Sequence, residues 1–183
     1  HILGPHHPST LTSRNNLAYT YQATGRLDKA ITLYEQNLKD FEDLLGPNHP
    51  STLTSRNNLA NVYQATGRLD KAITLYEQNL KDRTHILGPH HPSTLTSRNN
   101  LANAYWQTDR LDKAITLHQQ TLEDRTHILG PHHPDTLASL SNLAEAYRTA
   151  GRFEDAEKLF ETPSGSEDEQ DGTEDNPDQE TSD

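Results

Sequence analysis

The chain has 183 residues, of which 31% are hydrophobic and 6% aromatic, and its formal net charge is −11. So little apolar material excludes a large rounded core, although a quasi-linear stack needs only a thin one. The absence of cysteine excludes a disulfide scaffold, a thiolate metal site and a cysteine nucleophile; no apolar run approaches the roughly 18 residues of a membrane helix and no leader is visible, so a cytoplasmic location is expected.

In chain order, residues 1–3 spell His1-Ile2-Leu3, the same words that precede Gly88 and Gly130. They read as the remnant of a preceding repeat, and the chain is expected to be a piece of a longer array. Four units follow at a fixed period of 42, residues 4–45, 46–87, 88–129 and 130–162, marked by Gly4, Gly46, Gly88 and Gly130 and again by Leu17, Leu59, Leu101 and Leu143. The second and third units differ at only 9 of 42 positions, so one of them describes the array. A period between about 20 and 50 residues signals a solenoid, in which no unit buries its apolar face without a neighbour.

Within the second unit, His49-Pro50-Ser51-Thr52 predicts a helix start, because proline suits the first turn, where no amide hydrogen is needed. Gly67 predicts its end, and Leu53, Leu59, Ala60 and Tyr63 share one side at helical spacing. A second, longer helix is predicted from Leu69, with Ala72, Ile73, Tyr76, Leu80 and Leu87 as its apolar face and Gly88-Pro89 as its stop. So short a turn demands an antiparallel hairpin. Ala60 and Ala72 permit close approach of the two axes, and Ile86 and Leu87 are expected to reach over the adjoining unit.

The other units depart from this pattern locally. Unit one ends in Phe41-Glu42-Asp43-Leu44 instead of Arg83-Thr84-His85-Ile86, and unit three carries the single tryptophan, Trp106, and Asp109 in place of a turn glycine. Aspartate tolerates a left-handed backbone less well than glycine, so a slightly strained turn is expected there. Unit four diverges most, with Leu140 in the place of Arg98, and its second helix is expected to stop near Glu161. Divergent terminal units are expected of a cap. Residues 163–183 hold nine acidic residues and no basic one, which leaves −2 for the rest of the chain, and this span is expected to be a disordered acidic tail.

These motifs resemble the tetratricopeptide repeat, whose Leu-Gly-x2-Tyr and Ala-x3-Phe elements correspond to Leu59-Ala60-x2-Tyr63 and Ala72-x3-Tyr76. The Asn-Asn-Leu-Ala, Gly-Arg and Leu-Gly-x-x-His-Pro elements, with Arg56 in place of the usual tryptophan, are similar to the 42-residue, kinesin light chain type. That resemblance implies an all-α fold, an α-solenoid of antiparallel helix pairs forming a right-handed superhelix, with the first helices lining a concave groove. It also implies that asparagines on those helices hold the backbone of an extended peptide, since an amide side chain donates and accepts as a peptide unit does.

The candidate peptide-binding residues are accordingly Asn15, Asn57, Asn61, Asn99, Asn103, Gln22, Gln64 and Trp106. A second column, Asn16, Asn58, Asn100 and Asn142, reads equally as groove or as ties between units. Arg14, Arg56 and Arg98 read as attractors of acidic ligands or, better, as side chains lying flat with only their heads wet. Trp106 reads as a contact surface or as a filler between units.

Catalysis needs one asymmetric constellation, and the serines and histidines recur identically in every unit; no enzyme is expected. Adjacent pairs such as His90-His91 diverge before a proline, so neither a metal site nor a cofactor is expected. The array has no basic stripe for nucleic acid. The expectation is a protein-interaction scaffold within a larger signalling or scaffolding protein, with a protein or peptide partner and no membrane. The alternative is a self-associating array stacking head to tail through its terminal units.

Overall fold

The computed structural model describes residues 4–161; the remnant 1–3 and the acidic tail 163–183 lie outside the described residues. The chain forms eight helices among them: α1 (Pro8–Ala23), α2 (Leu27–Leu45), α3 (Pro50–Ala65), α4 (Leu69–Leu87), α5 (Pro92–Gln107), α6 (Leu111–Leu129), α7 (Pro134–Thr149) and α8 (Phe153–Lys158). No strand occurs among the described residues. Packing follows chain order, each helix against the one before and the one after, which makes an all-α solenoid of antiparallel pairs.

Local chemistry sets the boundaries of the first helices. The imidazole Nδ1 of His49 accepts from the Ser51 amide at 3.2 Å, and His7, His91 and His133 cap α1, α5 and α7 in the same way. The recurrent histidine is therefore an N-cap, taking one of the amides a helix start leaves orphaned. At the other end, Gly67 N–H bonds to Gln64 O at 3.1 Å and Arg68 N–H to Tyr63 O at 2.8 Å, the paired bonds of a Schellman turn. That turn needs a left-handed residue, and Gly67 sits at φ 73°. Asp109 takes the same role at φ 59°, alone among the described non-glycine residues.

The core is a thin seam. Leu59, Ala60, Val62 and Tyr63 from α3 and Ala72, Ile73 and Tyr76 from α4 are buried, both alanines completely. A buried cluster runs from α1 to α6 and a second, smaller one joins α6, α7 and α8; Trp106 packs against both. It fills the gap between units three and four.

Three expectations are corrected. The arginine heads are not wet: Arg56 is 1% exposed and its guanidinium meets Asp82 at 2.6 Å and Pro47 O at 3.3 Å. Arg98 meets Asp124 at 2.5 Å and Arg14 meets Asp40, so each arginine clamps its own helix pair. A desolvated guanidinium needs such a partner. Second, the reach over the next unit is not apolar alone: Ile86 and Leu87 line a depression with His91 and Ser93 of that unit while staying 42% and 39% exposed, and Arg83 reaches it too, donating to Ser97 Oγ and Ser93 O at 2.9 Å each. Third, α8 ends at Lys158 in a turn closed by Phe160 N–H on Glu157 O, short of Glu161.

Candidate functional site: the face built by the first helices

The helices α1, α3, α5 and α7 stand side by side and share a polar face. Asn58 Nδ2 donates to Asn15 Oδ1 at 3.4 Å, Asn100 Nδ2 to Asn57 Oδ1 at 3.2 Å and Asn142 Nδ2 to Asn99 Oδ1 at 3.0 Å. Both asparagine columns are thus engaged, one amide donating and one accepting at each joint. The ladder ties each unit to the next and fixes the rotamers of the asparagines at half-buried positions. Each pair keeps the Nδ2 donors of the first column and the Oδ1 acceptors of the second outside the ladder bond, the complement of a peptide unit.

Asn61 and Gln64 are brought together by a residue that sequence reasoning assigned to the core. The Tyr76 hydroxyl lies 2.6 Å from Asn61 Oδ1 and 2.8 Å from Gln64 Oε1, so its one proton serves one carbonyl at a time. Gln64 Nε2 also donates to Gln107 Oε1 at 3.1 Å. Gln22 is half-buried on α1. Asn103 and Trp106 line a common pocket of about 90 Å³ with His118, Asn142 and Glu145, and the Trp106 indole N–H donates to Thr149 Oγ1 at 3.0 Å. Asn15, besides its bond to Asn58, lines a depression of about 270 Å³ beside Phe41 and Pro50. A further depression of about 370 Å³, lined by Leu101, Tyr105 and the start of α6, includes none of the predicted residues.

The electrostatics are those of a buried polar seam. Burial first, then the hydrogen bond to Glu35, pushes the Tyr63 phenol up to about 12, and burial with Glu77 does the same to Tyr105. Burial alone lowers His118 to about 4, which keeps it neutral, and its Nδ1 has no hydrogen-bond partner. Among the described residues no three histidine or acidic side chains converge as a metal site; His90 instead faces Asp124 at 3.1 Å while His91 caps α5. None of the described helices is long and apolar enough to cross a membrane.

Sequence reasoning missed the aspartate partners of the arginine column and the pocket at His118. A signal for the first was present: Asp40, Asp82 and Asp124 each follow an arginine by 26 residues, and where Leu140 replaces the arginine, Ser166 replaces the acid.

Sequence comparison settles the family. The tetratricopeptide repeat matches residues 1–38, 9–81, 51–126 and 96–162. This chain belongs to the tetratricopeptide repeat family. Among solved structures it is similar to a kinesin light chain-type protein of Podosopora anserina with nearly identical TPR-like repeats, at 37% identity and a TM-score of 0.77 over 86% of this chain and 74% of that one. A point variant of that protein matches at 36% identity and a TM-score of 0.78, with the same coverage. BtubC (BKLC) of P. vanneervenii matches at 27% identity and 0.76, over 82% of this chain and 60% of its own. No curated protein matches. The tetratricopeptide repeat fold and its kinesin light chain-like neighbours mark the chain as a repeat scaffold for protein interaction.

Proposed function

We propose that this tetratricopeptide repeat array holds an extended peptide or partner segment in the groove formed by α1, α3, α5 and α7, as part of a larger signalling or scaffolding protein. The observation that carries the reading is the asparagine ladder. It repeats once per unit, its rotamers are held by hydrogen bonds between units, and it keeps one donor column and one acceptor column open. If the first helices recur about every 10 Å, an extended ligand rising about 3.3 Å per residue meets a fresh asparagine pair about every third residue. Periodic backbone contact of this kind selects an extended conformation, and the side chains between contacts supply specificity.

Screening a displayed peptide library against the chain, then measuring the best binders by calorimetry on the Asn57→Ala/Asn99→Ala variant, tests this. Affinity is expected to fall at least tenfold while the unfolding free energy changes by only about 1–2 kcal/mol, two modest hydrogen bonds. Unchanged affinity for every selected peptide sinks the groove reading.

A second reading is favoured by one feature. Leu17 is 46% exposed where Leu59 and Leu101 are 4% exposed, and Phe153 and Phe160 are 63% and 54% exposed on the last helix and the turn after it. Two such apolar ends would support head-to-tail association. Light scattering over a wide concentration range decides it, a constant monomer mass being the contrary result.

A further inference from the structure

Three residues that have no counterpart in the second unit meet in one place. Trp106 stands where unit two has Gln64, His118 where it has Tyr76, and Glu145 where units two and three have Asn61 and Asn103. With Asn103 and Asn142 they line the pocket of about 90 Å³, room for roughly three waters or the polar end of one side chain.

The pocket exists because an imidazole is shorter than a phenol. In unit two the Tyr76 hydroxyl extends to Asn61 and Gln64 and fills the corresponding space. At position 118 the ring stops short, and the contact that occupies Asn61 has no counterpart at Asn103. His118 is 1% exposed with its Nδ1 unpartnered. A buried polar atom without a partner costs stability until something bonds to it.

The remaining walls say what kind of group the pocket suits. Glu145 is the only formally charged residue lining the pocket, and its side chain is 60% exposed. Its ion-pair partner among the described residues, Arg148 on the same helix, is 3.9 Å away and 53% exposed, a solvated pair that exchanges readily. The indole N–H of Trp106 is already given to Thr149, so the ring adds no free donor to the lining. A carboxylate and an amide carbonyl, with no free indole donor beside them, attract a cation and repel an acid.

We propose that this pocket receives the basic side chain, arginine or lysine, of a peptide segment lying along the first-helix face. The proposal rests on the groove reading and adds to it a position that selects a side chain by charge. The identical units would supply backbone contacts in any register; the divergent pocket sets the register.

Trp106 is the only tryptophan of the chain, so its emission reports this pocket. The full chain is titrated with a capped pentapeptide carrying arginine between alanines. A saturable change in emission is expected, at least tenfold weaker when glutamine or glutamate replaces the arginine, at least tenfold weaker in Glu145→Gln, and lost in His118→Tyr. The last variant restores the residue that Tyr76 provides in unit two, and thermal unfolding followed by circular dichroism confirms that it folds. Equal response to the glutamine peptide, or an unaltered response in His118→Tyr, overturns the proposal. Binding that ignores the central residue and His118→Tyr but falls in Asn57→Ala removes the pocket and keeps the groove. Saturable arginine binding at Trp106 that ignores both Asn57 and Asn99 keeps the pocket and removes the groove.

Discussion

His118 shows how one residue can set apart a unit that is otherwise a copy. It takes the core position of Tyr76, is buried in the joint between α5, α6 and α7, and is held neutral with a pKa lowered to about 4 from the ordinary 6.5. Because its folded value lies below its unfolded one, the unfolded state binds the proton first as the pH falls. No penalty acts above pH 6.5; it grows between pH 6.5 and about 4 and is complete below that. The expected loss is on the order of 3 kcal/mol across that window, from about 1.4 kcal/mol per pH unit. Urea unfolding of the parent chain and of His118→Tyr at pH 7 and pH 4.5 checks it: the difference between them should shift against the parent on acidification. A difference that does not vary with pH would mean that the ring is solvated.

At the scale of elements, α4 and α6 are each locked to the next first helix by one arginine, and the array contains its own control. Arg83 Nη1 bonds to Ser97 Oγ at 2.9 Å and Arg125 Nη1 to Ser139 Oγ at 2.7 Å, but unit one has Phe41 in that place. Ser55 is consequently buried with no partner for its hydroxyl. Removing Ser97 takes from a buried guanidinium one of its two acceptors and leaves only Ser93 O, whereas removing Ser55 deletes an atom that gains nothing. Ser97→Ala should cost about 1–3 kcal/mol and Ser55→Ala should be neutral or slightly stabilising, as read from chemical denaturation midpoints. Equal costs would show that the arginine does not carry the joint. The alanines act at the same scale: Ala60 and Ala72 are wholly buried, which lets α3 and α4 approach closely enough for Arg56 to reach Asp82.

For the whole molecule, the same few joints recur: the asparagine ladder, the arginine–serine lock and the tyrosine–acid bond of Tyr63 with Glu35 and Tyr105 with Glu77. Stability should therefore be nearly a sum of equal unit and interface contributions. Excising residues 46–87 joins two chemically matched ends and should lower the unfolding free energy by one such step, with the cooperativity parameter m falling in proportion to the surface lost. Calorimetry and urea titration of the shortened chain check this; a collapse of folding, or no change, would mean that the units are not thermodynamically equivalent. The Trp106 bridge between the two buried clusters makes unit four depend on unit three in a way the excision leaves untouched.

Periodicity and punctuation made most of the fold legible. Pro50 after a capping His49 and Gly67 before Arg68 are local signals, and local backbone chemistry decides where a helix starts and ends whatever surrounds it. The amphipathic spacing from Leu53 to Tyr76 likewise predicted which side would be covered. What the tertiary structure alone decided was the partner of each polar group. Arg56 finds Asp82 across a hairpin, Asn58 finds Asn15 one unit away, and the pocket at His118 appears only where α5, α6 and α7 meet. Such pairings depend on distances between elements that are remote in sequence, and a residue's own type does not encode them: the first asparagine column read as ligands of a peptide, and the Oδ1 atoms of Asn15, Asn57 and Asn99 hold the array together.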